Sequence, residues 1–281
     1  MALVLAALSA LVYGSADFSG GMASRRNDGI AVTLSTQVIG LGAVAVAVAV
    51  WPGVVVVGGA DLGWGALAGV AGGLGLMCFY PALARGPMSV VAPTTAVCSA
   101  LLPALVGIGL DGWPSGWTTA GVLVALPAIG LAAREASGEH RVVEPLTVLL
   151  SVAAGIGFGA FFVAISAASE DSGMWPLLAA RVASVSLVIT VWSRRGRPTT
   201  RPVPGTGWYV AAAGCLDVLA NGFYVLAVRG GSLTWVSVIG SMYPVSTVLL
   251  ARLVLRERLG PLQRLGLGLA AVALVLVAVG R

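Results

Sequence analysis

The sequence predicts an all-α integral membrane protein whose ten transmembrane helices form two inverted five-helix repeats. Three observations carry that expectation. The first is composition: of 281 residues, 58% are hydrophobic and only 10% charged, against roughly 25% charged in soluble proteins. With a mean hydropathy of +0.98 too little polar surface remains to coat a water-facing globule, so lipid is the solvent and a soluble enzyme, a disordered chain or a secreted disulfide scaffold is disfavoured. The second is that the apolar residues fall in runs of about 20, the length a helix needs to cross about 30 Å of hydrocarbon. The third is that the chain repeats itself.

Cutting the apolar runs at charged and Pro/Gly-rich breaks gives ten spans, at about 3–21, 30–51, 62–84, 88–110, 116–133, 146–169, 174–193, 207–228, 232–254 and 262–280. The first run has no basic segment before it and meets arginine only at Arg25 and Arg26, so it reads as a retained membrane helix rather than a cleaved leader. The longest polar breaks are Arg134 to Pro145 and Arg194 to Thr206. All 16 basic residues are arginine; they are scattered between apolar runs rather than gathered on one face, which argues against nucleic-acid binding. Cys78, Cys98 and Cys215 lie singly inside apolar runs without metal-ligand spacing and read as packing residues.

The duplication is specific. Phe79-Tyr80 through Arg85-Gly86 matches Phe223-Tyr224 through Arg229-Gly230 at an offset of 144, and Gly63-Trp64 matches Gly207-Trp208 at the same offset. With a one-residue shift, Tyr13-Gly14 matches Phe158-Gly159 and Gly121 matches Gly266. The halves are therefore expected at 1–140 and 146–281, five spans each. An odd number of crossings makes the second half enter from the opposite side, and such inverted repeats can rock about a central site. The competing reading is a duplication kept only for packing.

Counting arginines orients the chain. Arg25, Arg26, Arg85, Arg134, Arg141, Arg194, Arg195, Arg197, Arg201, Arg252, Arg256, Arg258 and Arg264 fall in odd-numbered connections, whereas only Arg229 and Arg281 fall on the other side. The positive-inside rule then puts the odd connections in the cytoplasm and both termini outside.

This pattern resembles the EamA family of the drug/metabolite transporter superfamily. The resemblance is carried by Tyr243-Pro244, then Leu255-Arg256-Glu257-Arg258-Leu259 and Gly266, similar to the family's ninth helix, its L-G-E-R turn and its tenth helix, with Arg256 in place of the usual Gly. Tyr13-Gly14-Ser15 and Arg181 are also family-like; the first half departs more, with Leu110-Asp111-Gly112-Trp113 where the acidic turn belongs and Gln37 aligned with Arg181. The resemblance implies a ten-helix secondary carrier of small metabolites, an exporter of amino acids or similar amphipathic solutes, in the bacterial inner membrane. It implies no enzyme activity. The alternatives are an integral-membrane enzyme, or a structural or regulatory membrane protein that transports nothing.

Charges inside spans cost about 2.5–3.5 kcal/mol each at the helix centre, so each needs a partner, an aqueous cavity or a role. Asp217 falls about 15 Å from the cytoplasmic end of span eight, with Arg181 and Asn221 at compatible depth. Asp217, Asn221 and Tyr224 occupy i, i+4 and i+7, a polar stripe expected to face a cavity. The expected substrate-binding set is Arg181, Asp217, Asn221 and Tyr224, with Trp235 and Tyr243 of span nine as aromatic contacts. An Arg181–Asp217 pair serving only helix packing is the alternative for the two charges. Asp17 and Asp217 are the candidates for proton coupling, because a carboxyl shielded from water holds a proton more readily. Asp17, about 6 Å from its inner end, is expected to be too shallow to meet Asp217 without tilt. Gly65, Gly69 and Gly73, and Gly155 with Gly159, read as close helix-contact faces; Pro81, Pro93, Pro103, Pro127 and Pro244 as interruptions; and His140 as a solvated loop residue. No P-loop, metal cluster or nucleophile–base pair is evident, so the expected partners are a small-molecule substrate and the lipid bilayer, with a proton as coupling ion, no nucleic acid, no cofactor and a monomer or weak homodimer.

Overall fold

The computed structural model describes residues 1–50, 55–112, 115–132, 144–195, 203–231, 236, 239–240, 242–255 and 260–279. Among these, ten α-helices follow one another: α1 (Ala2–Ser24), α2 (Gly29–Ala49), α3 (Gly59–Arg85), α4 (Met88–Asp111), α5 (Gly116–Ala132), α6 (Pro145–Ser166), α7 (Trp175–Arg194), α8 (Gly207–Arg229), α9 (Pro244–Leu255) and α10 (Pro261–Val279), with a 3-10 turn at Glu170–Ser172. Six of them, α1, α2, α3, α6, α7 and α8, are long and apolar enough to cross a membrane. The protein is a multi-pass membrane protein. Its surface agrees: Leu149, Leu253 and Leu123 are 63%, 68% and 64% exposed while Gln37, Arg181 and Asn221 are buried, the reverse of a water-soluble core.

Local chemistry sets the helix ends. Asp28 caps α2 by accepting from the amides of Ile30 and Ala31, both at 3.0 Å, and proline stands in the first turn of α6 and of α7, where its missing N–H costs nothing. Hydroxyls within the spans bond to their own helix, as Ser19 to Ser15 O, Ser24 to Gly20 O and Thr33 to Gly29 O (each 2.8 Å), so they need no partner in lipid.

The expected prolines behave differently from one another. Pro81, Pro93, Pro103 and Pro127, expected as interruptions, lie instead inside continuous helices, whereas Pro244 does stand at a break in the ninth span. Val236, Ile239 and Gly240 are helical, Met242 and Tyr243 form a turn, and α9 begins at Pro244. Pro244 has no N–H to reach the Gly240 carbonyl. The amides of Met242 and Tyr243 instead make tighter three-residue bonds to Ile239 O and Gly240 O (3.0 and 3.4 Å).

The main helix contacts join the first half of the chain to the second. Helix α1 packs along α8 and α9, α2 against α7 and α8, α3 along α6 and α7, α4 on α6 and α5 on α10. Glycine makes the closest approaches possible: a Cβ on Gly65 or Gly69 would overlap the backbone of Pro176 or Ala180 in α7, and one on Gly14 would overlap Ser246 and the Tyr243 carbonyl. Gly155 lies as tight against α4, at Thr95 and Cys98, and Gly159 approaches Ser99 and Leu102 less closely. The two small-residue faces are thus contacts within the chain.

Each end of the bundle carries a polar strap between the halves. At one end Asn27 donates to Thr206 Oγ1 (3.1 Å) and accepts from the Val203 amide (2.9 Å). At the other, Asp61 accepts from the amides of Gly58 and Ser169, both at 2.8 Å. Between the straps lie two apolar clusters, one around Phe18, Phe79, Tyr80, Leu83 and Met88, the other around Tyr13, Phe162, Leu177, Tyr224 and Tyr243.

Candidate functional site

A cavity of about 620 Å³ opens between the halves, lined by residues of α1, α2, α3, α6, α7 and α8 and by Tyr243. Its polar wall is one connected network. The guanidinium of Arg181 donates through Nη1 to Gln37 Oε1 and through Nη2 to Asp217 Oδ2. Asn221, one turn along α8 from Asp217, donates to the Asp217 carbonyl (2.7 Å) and to its Oδ2 (3.2 Å). The Tyr13 hydroxyl of α1 donates to Asn221 Oδ1 at 2.7 Å. Five side chains from four helices therefore fix one another's orientation, and the only fully charged members form an ion pair whose side chains are 9% and 23% exposed, Asp217 being the more open.

The rest of the lining is largely aromatic and apolar, with Phe158, Phe161 and Phe162 of α6, Leu76 of α3 and Leu177 of α7, and the Tyr13 ring meets Phe162 edge-on at 5.9 Å. Gly69, Gly72 and Gly73 of α3 complete the lining. Asp17, one turn along α1 from Tyr13, lines the same cavity, so the lining holds two carboxylates and one guanidinium. Tyr243 stands at the break before α9. A polar neighbour, Ser99, spends its hydroxyl on Ala96 O (3.0 Å), and Tyr243 Oη is buried without a geometrically sound hydrogen-bond partner among the described residues.

Of the residues expected from sequence, Arg181, Asp217, Asn221, Tyr243 and Asp17 meet at this cavity. Asp17 is a correction, since simple depth placed it out of reach of Asp217. Straight helices normal to the bilayer were assumed, and the close packing of α1 against α8 and α9 brings both carboxylates to one chamber. The stripe on α8 also divides: Asp217 and Asn221 face the cavity, whereas Tyr224, 1% exposed, packs its ring on Phe162 (centroids 4.5 Å apart) and lines a second, neighbouring cavity. Trp235, His140 and the Arg256–Leu259 turn lie outside the described residues. Sequence reasoning did not place Gln37, Tyr13 or the three phenylalanines in the site. The repeat offset held the signal: Gln37 aligns with Arg181, Tyr13 with Phe158 and Gly73 with Asp217, and all six line this cavity.

Residues 145–279 match the model of the EamA-like transporter family. This half of the chain belongs to the EamA family. A crystal structure described simply as that of a protein superposes with a TM-score of 0.74 at 18% identity, covering 99% of this chain and 96% of the other, and at that identity the likeness is one of fold. No curated protein sequence matches the chain. The EamA half supplies α6 to α10, hence Arg181, Asp217, Asn221, Tyr243 and the phenylalanine wall, while Tyr13, Asp17 and Gln37 come from residues before the match.

Proposed function

We propose that this EamA protein is a secondary transporter of small amphipathic solutes, zwitterions of the amino-acid type, that exports them across the bacterial inner membrane by alternating access. The observation that carries the reading is a cavity lined both by an Arg–Asp–Asn–Tyr network and by three phenylalanines. A solute carboxylate replaces Asp217 on Arg181, its ammonium group takes Asp217 and Asp17, and its apolar part lies on the Phe158–Phe161–Phe162 wall. A lining that joins charged and amide groups to aromatic rings suits an amphipathic metabolite rather than a bare ion or a polymer.

Two inverted five-helix repeats, 1–140 and 146–281, account for the packing. Exchanging the halves turns the α1–α8 contact into α6–α3 and α4–α6 into α9–α1, and returns α2–α7 and α5–α10 to themselves, all of which are present. Arg181 and Gln37, equivalent at the offset of 144, hydrogen-bond to each other, as equivalent residues do at a pseudo-twofold axis. The arginine distribution supports cytoplasmic odd-numbered connections. Asp17 and Asp217, the two acidic side chains at the cavity, are the proposed groups for proton coupling.

The test is flux of labelled solutes into liposomes, after a thermal-shift screen of the purified protein against amino acids, organic acids, nucleosides and cationic amphipaths. A solute that stabilises the protein and crosses unmodified supports the reading. A stabilising solute recovered chemically altered supports a membrane enzyme instead, and stabilisation by none of them refutes the substrate class.

A further inference from the structure

A second cavity, of about 440 Å³, lies beside the first toward the end of the bundle that carries Asp61 and the Glu170–Ser172 turn. Its lining includes Glu170, Pro176, Leu177, Tyr224, Val228 and Arg229. Leu177 belongs to both cavities. Phe162 faces the central one and Tyr224 the second, and their rings meet at 4.5 Å with 36° between planes. All three are at least 95% buried. The wall between the chambers is thus a single layer of side chains. A Cβ on Gly240 would come within 3.5 Å of the Tyr224 ring, so that glycine leaves the ring its space just where the helix before α9 ends.

From this geometry we infer that the second cavity is the outer vestibule of the same permeation route, and that Phe162, Tyr224 and Leu177 are the closure separating it from the central site. The inference rests on the transport reading above. Its chemistry suits the same zwitterion: Arg229, half-buried and fixed by donation to Gly173 O at 2.8 Å, offers a cation on an apolar floor, with Glu170 as an exposed anion at the rim. The duplicated dipeptide gives the opposite end its counterpart. Tyr80, equivalent to Tyr224 at the offset of 144, is buried in the other apolar cluster with Phe18, Phe79 and Leu83, and Gly20 lies directly against its ring. One tyrosine of the pair thus stands at each end of the central site.

The experiment is thiol labelling, which needs no substrate and so fails or succeeds independently of transport. In a chain lacking Cys78, Cys98 and Cys215, Ser184→Cys places a thiol on the central cavity and Ala82→Cys one in the far cluster. An impermeant maleimide is applied to intact cells. A closed state that opens only a few per cent of the time labels slowly, so Tyr224→Ala should raise the Ser184→Cys rate about tenfold or more, and Leu177→Ala should act in the same direction. Tyr80→Ala, at the opposite end, should not raise it, and Ala82→Cys should stay unreactive throughout. The inference is overturned if neither lesion raises central labelling while a thiol at Glu170 reacts, if Ala82→Cys rises in parallel, or if the increase appears only from the cytoplasmic side. Loss of flux with this labelling pattern intact would count against the transport reading alone.

Discussion

Replacing Arg181 with glutamine leaves the Asp217 carboxylate with Asn221 as its remaining partner inside the bundle; replacing Asp217 with asparagine leaves the guanidinium with Gln37. Both ionic groups are largely buried, at 9% and 23% side-chain exposure. Removing one member of a buried pair costs about 3–5 kcal/mol, because the surviving charge is left uncompensated. At about 2–4 °C per kcal/mol for a chain of this size, each single substitution should lower the melting temperature by roughly 6–20 °C. The double variant Arg181→Gln with Asp217→Asn carries neither charge. It should lose only the difference between charged and neutral hydrogen bonds, which average about 0.6 kcal/mol within a bilayer and seldom exceed about 2. The assay is thermal unfolding of the purified protein in a single detergent, run beside liposome flux. Recovery of stability in the double variant without recovery of flux is the expected result, since a solute carboxylate has then lost its cation. Single variants that melt with the parent, or a double variant no better than the worse single, would refute the buried-pair argument; full flux in the double variant would remove the pair from the substrate site.

Gly14→Ala should lower the melting temperature and the folding yield sharply, because the added methyl collides with the Tyr243 carbonyl as well as Ser246, whereas Gly42→Ala, with nothing within 4 Å, should be neutral or up to about 1 kcal/mol stabilising from helix propensity; equal effects would contradict the close α1–α9 approach. Asp61→Ala breaks two charge-assisted backbone bonds and should lower the melting temperature. Asp61→Asn should lower it less, as read from thermal melts; no change in either variant would mean the strap bears no load. In a cysteine-free chain, a thiol at the exposed Asp171 should react with an impermeant reagent in intact cells and one at the exposed Arg195 should not; the opposite pattern would reverse the orientation.

The all-α membrane class was legible because bilayer thickness sets helix length and apolar runs of that length recur along the chain. The Arg181–Asp217 pairing was legible for a similar reason, since an isolated charge in hydrocarbon has few places to go. Tyr224 was misplaced because helical spacing specifies a face about a helix axis but not where along that face a cavity ends, and the Phe162 ring closes the chamber between Asn221 and Tyr224. Asp17 was misjudged because depth counted along one helix ignores how its neighbours cross it. The break at Tyr243 could be suspected from Pro244, yet Pro81, Pro93, Pro103 and Pro127 sit in unbroken helices. What distinguishes Pro244 is its surroundings, where Ser246 and Thr247 bond to the α1 carbonyls of Ala10 and Gly14 (3.3 and 3.1 Å), a tertiary fact with no local signature.

The pairing of helices across the two halves has a consequence for how the protein is made. The hydrogen bonds of Ser9 to Ala220 and of Tyr13 to Asn221 join residues 211 and 208 positions apart. At about 5–20 residues per second of synthesis, α1 waits roughly 10–40 s in the membrane before α8 leaves the ribosome. Through that interval the polar groups of the first half, Gln37 among them, face lipid or insertion machinery instead of their eventual neighbours. The nascent first half is therefore the form most exposed to membrane proteases and chaperones. Lesions at Tyr13 or Gly14 should show first as reduced abundance in the cell, through degradation of chains whose second half arrives and finds no surface to close upon.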